Sequence, residues 1–464
     1  MRPASRALAL LTAAAFVLTS VPIRAQTGSN AGIPMIRDAE IEQLLRDYTQ
    51  PILKVAGLGN QNIQVVIISD KSFNAFVMDA HRIFVNAGAL MEAKTPNQII
   101  GVFAHETGHI VGGHLSKMRT ELANAQTEAI VAMLLGVGAI VAGSRTSAGS
   151  EMTNVGGAML TAPGAYLQNK LMAYQRSQEE SADRAGVRFL TLTGQSARGM
   201  YDTFKRFADE LMFSARFIDP YAQNHPMPAE RMAALAELVK TPYWDKKDPP
   251  ELQYRHDMMR AKLYGFVDRP DAVLRRYPPS DGSIPARYAR AISAYKYGDM
   301  RDAIAQIDAL IQSTPNNPYF YELKGQALLE GGHPAEAVAP LRRAAALAPN
   351  PALIQIMLAQ AMIAASNGPK PAEEAISLLH TALIKEPESA DAYSQLAMAY
   401  GHKNDLADAD LASAQAAFAR GDGKTAQELA ARAKQRFPIG SPGWVKADDI
   451  VAFNKNQHQS PLRK

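Results

Sequence analysis

The spacing of apolar and polar positions changes several times along the chain. Residues 26–60 carry an apolar stripe at helical spacing in "AEIEQLLRDYTQPILKVAGL" and predict helix. The stretches "NIQVVIISD" (62–70) and "RIFVNAGAL" (82–90) are rich in β-branched residues, with "SFNAFVM" (72–78) between them. Together they predict three short strands. The helical period returns in "KTPNQIIGVFAHETGHIVGGHLSKM". Its start is marked by Thr95 as N-cap, Pro96 at the first helical position and Gln98 three residues after the cap. "EAIVAMLLGVGAIVAG" (128–143) is apolar throughout but short for a membrane span, and a Gly/Ser/Thr-rich stretch follows it. This pair predicts a buried helix and a loop that can act as a lid. Helix resumes in "LQNKLMAYQRSQEESADRAGVRFLTLTG", closed by Gly194.

Beyond residue 284 the pattern repeats. Ala303–Pro315, Ala337–Pro349, Ala375–Pro387 and Ala426–Pro438 share one spacing, and Gly298, Gly332 and Gly421 each precede an alanine by five residues. Successive alanines lie 34, 38 and 51 residues apart, the last gap being one and a half repeats. A 34-residue helix-pair period with small residues at the crossings resembles the tetratricopeptide repeat.

The N-terminus changes the reading of charge. "MRPASRALALLTAAAFVLTSVPIRAQT" has a basic start, an apolar stretch and a small residue at Ala25, the layout of a cleavable secretory signal over residues 1–25. Its removal deletes Arg2, Arg6 and Arg24 and takes the formal charge from +4 to +1. The chain is therefore expected to be exported, and a nucleic-acid partner has no electrostatic support. Cysteine is absent, which excludes disulfides and thiolate metal sites.

His, Asp and Glu remain as strong metal ligands, and "GVFAHETGHIVGGHL" holds three of the ten histidines. His105 and His109, four apart on one helix face, can offer two nitrogens to one ion. Glu106, one position round, lies beside the metal, where it can take a proton from water. The expected cofactor is one Zn2+ per chain, with Glu106 as the catalytic base. A third ligand is needed. The longer pattern with a further histidine fails, because Leu115 stands at that place. His114 falls off the ligand face, past Gly112 and Gly113, and is expected in a structural or surface role. "QEESADRAG" offers Glu179, Glu180 and Asp183. Glu179 and Asp183 share a face, so one can bind metal while the other supports a ligand imidazole, and spacing leaves the order open.

H-E-x-x-H, then E-x-x-A-D, with an upstream "NAF" strand, resembles the zinc metallopeptidases that include the CAAX prenyl protease and HtpX. The resemblance implies Glu179 as third ligand and Asp183 as support behind it. It implies that Asn74, Ala75 and Phe76 form a strand along the cleft, to which substrate adds as an extended edge. The turn after "NAF", "VMDAHR" here, lacks the glycine usual in the family, which leaves the cleft rim open. His81 in this turn is expected to be a loop histidine. A secretion signal with C-terminal repeats points to periplasmic members that act on outer-membrane β-barrel proteins. In such members a His-Pro can reach the zinc as a fourth ligand and hold the enzyme off. His225-Pro226 matches; an oxyanion role and a plain loop role stand beside this regulatory one.

The expected fold is an α+β metallopeptidase domain (26–270), mostly helical with a small three- to four-stranded sheet. An all-α tetratricopeptide-repeat solenoid (284–450) and a flexible tail (451–464) follow. The expected partners are unfolded or misassembled outer-membrane proteins and the β-barrel assembly machinery, with peripheral membrane contact. The competing function is a chaperone or scaffold acting through the repeats, with the protease largely silent.

Overall fold

The computed structural model describes residues 34–124, 172–213, 220–365 and 369–453. The expected signal, the apolar and Gly-rich stretch at 128–165 and the tail beyond 453 lie outside the described residues.

Asp38 starts the first helix, α1 (Ala39–Val55), by accepting the Ile41 N–H at 2.9 Å. Ile41, Leu44, Leu45, Tyr48 and Ile52 recur at helical spacing and are all buried. The expected helix over 26–60 is thus shorter, and Met35–Ile36 before it forms strand β1. Strands β2 (Gln64–Ile68), β3 (Ala75–Val77) and β4 (Arg82–Asn86) complete a sheet of order β1-β2-β4-β3. β2 runs parallel to β4 with Val66 opposite Phe84. β3 runs antiparallel to β4 and lies at the sheet edge, with Phe76 stacked on Phe84 at 5.4 Å between ring centres.

The expected strand over 82–90 stops at Asn86, and Ala87–Glu92 is a short helix, α2. The reason is tertiary. Gly88 donates to the Asp70 carbonyl at 2.9 Å, and a Cβ there would stand 2.1 Å from the Lys71 carbonyl oxygen. Helix α3 (Pro96–Gly112) begins at the expected cap, where Gln98 accepts the Thr95 N–H at 3.3 Å. It drives Ile99, Ile100, Val102, Phe103 and Ala104 into the main core.

Two further helices, α4 over 114–124 and α5 over 172–192, flank the centre. Helices α6 (Arg198–Phe213), α7 (Pro220–Asn224), α8 (Ala229–Leu238) and α9 (Pro250–Val267) close this part of the molecule. Small residues set the crossings. A Cβ on Gly101 would lie 2.6 Å from Met200 Cβ, and one on Gly108 2.8 Å from the Ala182 carbonyl oxygen. Gly186 in turn lies against the His105 backbone. Helix α5 therefore meets α3 almost backbone to backbone, beside the two histidines.

From residue 284 the chain is helical. Ala303, Ala337, Ala375 and Ala426 are all fully buried, on helices Met300–Ser313, Pro334–Leu347, Pro369–Lys385 and Gly423–Arg436. One helix stands between the first and second of these, and one between the second and third. Two, Ala390–His402 and Leu406–Ala419, stand between the third and fourth. The extra helix accounts for the 51-residue gap. The repeats pack back on α1 and α9. Lys262, only slightly exposed, faces Asp38 at 2.7 Å, Glu40 at 3.3 Å and Glu322 at 3.8 Å. Tyr288 donates to Glu40 at 3.0 Å. The fold is the expected α+β arrangement, mostly helical with a small four-stranded sheet, followed by a helical repeat array. Among the described residues no helix is long and apolar enough to cross a membrane.

Candidate metal centre

Helix α3 presents His105 and His109 on one face, with their Nε2 atoms 3.0 Å apart. Because Gly108 and Gly186 let α5 approach, Glu179 reaches the same point. Its carboxylate lies 3.3 Å from His105 Nε2 and 3.5 Å from His109 Nε2. His225, just after α7, completes the group, with Nδ1 3.0 Å from Glu179 Oε2 and 3.3 Å from His105 Nε2. One donor atom from each of these four buried residues lies within 4.8 Å of the others. Three imidazoles and a carboxylate so placed could hold a transition-metal ion.

Asp183, one turn beyond Glu179, sits behind His105, its Oδ1 3.0 Å from Nδ1. The residue that pattern reading missed is Arg231. Its guanidinium donates to both Asp183 oxygens at 2.7 and 2.8 Å and to the Pro226 carbonyl at 2.9 Å, and it pairs with Glu179 at 2.9 Å. One buried cation thus holds both acids of the helix and the backbone beside His225. No motif spacing announces it, because Arg231 and Asp183 are 48 residues apart.

Charge follows from these contacts. Burial pushes Glu179 up, but His225, His105 and Arg231 hold it well below the usual carboxylate range. Burial likewise opposes ionisation of Asp183, and Arg231 reverses the balance. Burial lowers His105, yet Asp183 and Glu179 bring it up to about 9. Burial and the neighbouring His105 charge hold His109 well below its ordinary value. Glu106 is fully buried, and neither of its carboxylate oxygens accepts a hydrogen bond among the described residues. Burial pushes it above the usual range, toward a group that can both take and return a proton.

The other sequence candidates fall as follows. Ala75 and Phe76 lie on edge strand β3, and Asn74 directly precedes it. Asn224 donates to Asn74 at 3.4 Å, so the segment before His225 is tied to this edge. His225 stacks on Tyr221 at 4.6 Å between ring centres and is buried. His81 is exposed. His114 is not on the surface. It is buried, with Nδ1 2.9 Å from His109 Nδ1. The straight-helix projection missed this because the helix breaks at Gly113, which takes φ +62°.

Residues 36–239 match peptidase family M48, and residues 288–351 match a tetratricopeptide repeat. The β-barrel assembly-enhancing protease of Yersinia pestis is 23% identical over 422 residues, 89% of this chain and 82% of that protein. A relative in Vibrio cholerae is 25% identical over 306 residues, 62% of this chain but only 59% of that protein. The metalloprotease LoiP of Escherichia coli K12 is 30% identical over 193 residues, 40% of this chain and 68% of that protein.

Proposed function

This chain belongs to peptidase family M48, and from that premise we propose that it is a periplasmic zinc endopeptidase acting in quality control and assembly of outer-membrane β-barrel proteins. The observation that carries the reading is the pairing of a buried cluster of metal-ligating side chains with a buried acid that accepts no hydrogen bond. His105, His109 and Glu179 would hold the ion, and Glu106 stands beside them with neither oxygen accepting a hydrogen bond among the described residues. A zinc ion held by these residues would supply Lewis-acid chemistry, polarising a peptide carbonyl and lowering the pKa of water. Glu106 takes the proton released by the attacking water and delivers it to the leaving amine. Asp183 and Arg231 keep His105 and Glu179 aimed at one point. Edge strand β3, entered through Asn74, Ala75 and Phe76, receives the substrate as an added strand.

His225 serves as a regulatory fourth ligand. Four protein ligands close a zinc site, whereas catalysis needs an open position. The basic and apolar leader at 1–25 supports export, and the names of the relatives support clients among outer-membrane proteins and contact with their assembly machinery. The peptidase domain covers 26–270 and the repeat domain 284–450, the latter offering a surface for these partners.

A second reading, a chaperone or scaffold working through the repeats, is favoured by His225, which would leave the centre silent. The test is digestion of a denatured outer-membrane barrel protein by the mature chain, before and after a chelator and with zinc restored. Cleavage lost to the chelator and recovered with zinc supports the peptidase. Client binding with no cleavage in any condition supports the scaffold.

A further inference from the structure

We propose that His114 is a positioning residue for the metal site, fixing the tautomer and ring orientation of His109. The inference rests on the reading of His105, His109 and Glu179 as metal ligands.

His114 follows His109 by five residues, which on a continuous helix would turn it about 140° away. The chain is not continuous there. Gly113 adopts φ +62°, its N–H reaching back to the His109 and Ile110 carbonyls, and helix restarts at residue 114. A left-handed residue of this kind strongly favours glycine. The reversal folds the His114 ring over Gly112, where a Cβ would stand 2.2 Å from His114 Nε2. Two glycines are therefore spent on one placement, the first for room and the second for the turn. The ring ends 6% exposed, edge-on to His109 at 82° and 4.9 Å between centres. The Gln178 amide donates to the His114 carbonyl at 3.2 Å, tying this backbone to the neighbour of Glu179.

The Nδ1 atoms of the two rings are 2.9 Å apart, so one must donate and the other accept. His109 turns Nε2 toward His105 and Glu179. That nitrogen must be free of a proton to bind a metal, so neutral His109 carries its proton on Nδ1 and donates it to His114. His114 then keeps its own proton on Nε2. It does for His109 what Asp183 does for His105, but as a neutral acceptor that adds no negative charge.

The test uses the mature full chain. Zinc affinity is measured by competition with a chromophoric chelator, and the His109 tautomer by nitrogen NMR of the zinc-loaded protein. His114→Leu removes the acceptor and is expected to weaken zinc binding about 10–100-fold. His114→Asn, whose Oδ1 takes the place of Nδ1, is expected to recover most of that loss, which a purely space-filling role would not predict. Wild type is expected to show the proton of His109 on Nδ1. Unchanged affinity in His114→Leu, equal loss in both variants, or a wild-type His109 proton on Nε2 would each overturn the proposal. If His114→Leu fails to fold, the wild-type tautomer and the Asn variant still decide. Wild type that takes up no zinc defeats the metal-site reading itself, and this inference with it.

Discussion

Nε2 of His225 lies 3.4 Å from Oε1 of Glu106, while Nδ1 of the same ring lies 3.0 Å from Oε2 of Glu179. One imidazole thus stands between the carboxylates of Glu106 and Glu179. His225→Ala is expected to raise cleavage of an unfolded protein roughly tenfold, the release of a closed state favoured by about 1.4 kcal/mol. A steady-state digestion assay decides the matter. A fall in rate would assign His225 to oxyanion stabilisation, and no change would make it a bystander.

Arg231 compensates two buried acids at once. Arg231→Ala leaves Asp183 and Glu179 facing each other without it, and a stripped buried pair costs about 3–5 kcal/mol. Urea unfolding of the metal-free protein should show a loss of that order. Arg231→Lys should recover only part of it, because an ammonium cannot reproduce the two-pronged contact with Asp183.

The approach of α5 to α3 depends on Gly108. Gly108→Ala places a methyl 2.8 Å from the Ala182 carbonyl oxygen and must push the acid helix away from the histidines. The expected cost is about 1–3 kcal/mol of stability, accompanied by weaker zinc binding. Gly401→Ala, where an added Cβ meets nothing within 4 Å, is the control and should leave both within error. Equal behaviour of the two variants would refute the crossing argument.

Stability should also depend on pH through the contact between α9 and the repeats. Burial, only partly offset by Lys262, pushes Glu322 up to about 8, and neighbouring Asp38 and Glu40 add to the rise. The folded protein then holds a proton that the unfolded chain releases near 4.5. Proton binding to the folded state stabilises it, so this contribution is full below pH 4.5 and is lost as pH rises through about 8. Lys262, held above its ordinary value, stays charged across the window. Glu322→Gln should flatten the fall in melting temperature between these two values. A slope unchanged in the variant would show that other groups set it.

Much of this was legible in the sequence because it is local. Thr95, Pro96 and Gln98 marked the start of α3, and the spacing of His105 and His109 put both rings on one face. The alanine-to-proline interval located the repeats, and the 51-residue gap stood out as one and a half repeats, which the structure fills with an extra helix. What escaped depends on distant partners or on a broken period. The strand expected through residue 90 ends at Asn86 because the Asp70–Lys71 backbone crosses Gly88. His114 returns to His109 only because Gly113 leaves the right-handed region. Arg231, and the contacts among Asp38, Glu40, Lys262 and Glu322, join residues that no spacing rule connects.

The most direct measurement is the rate at which the zinc-loaded mature chain cuts a denatured outer-membrane barrel protein, wild type against Glu106→Gln, each in the wild-type and His225→Ala backgrounds. The account predicts equal zinc content in all four proteins, with cleavage reduced at least 10²–10⁴-fold wherever Glu106 is replaced. Cleavage that survives Glu106→Gln, or its absence in all four despite bound zinc, would contradict it.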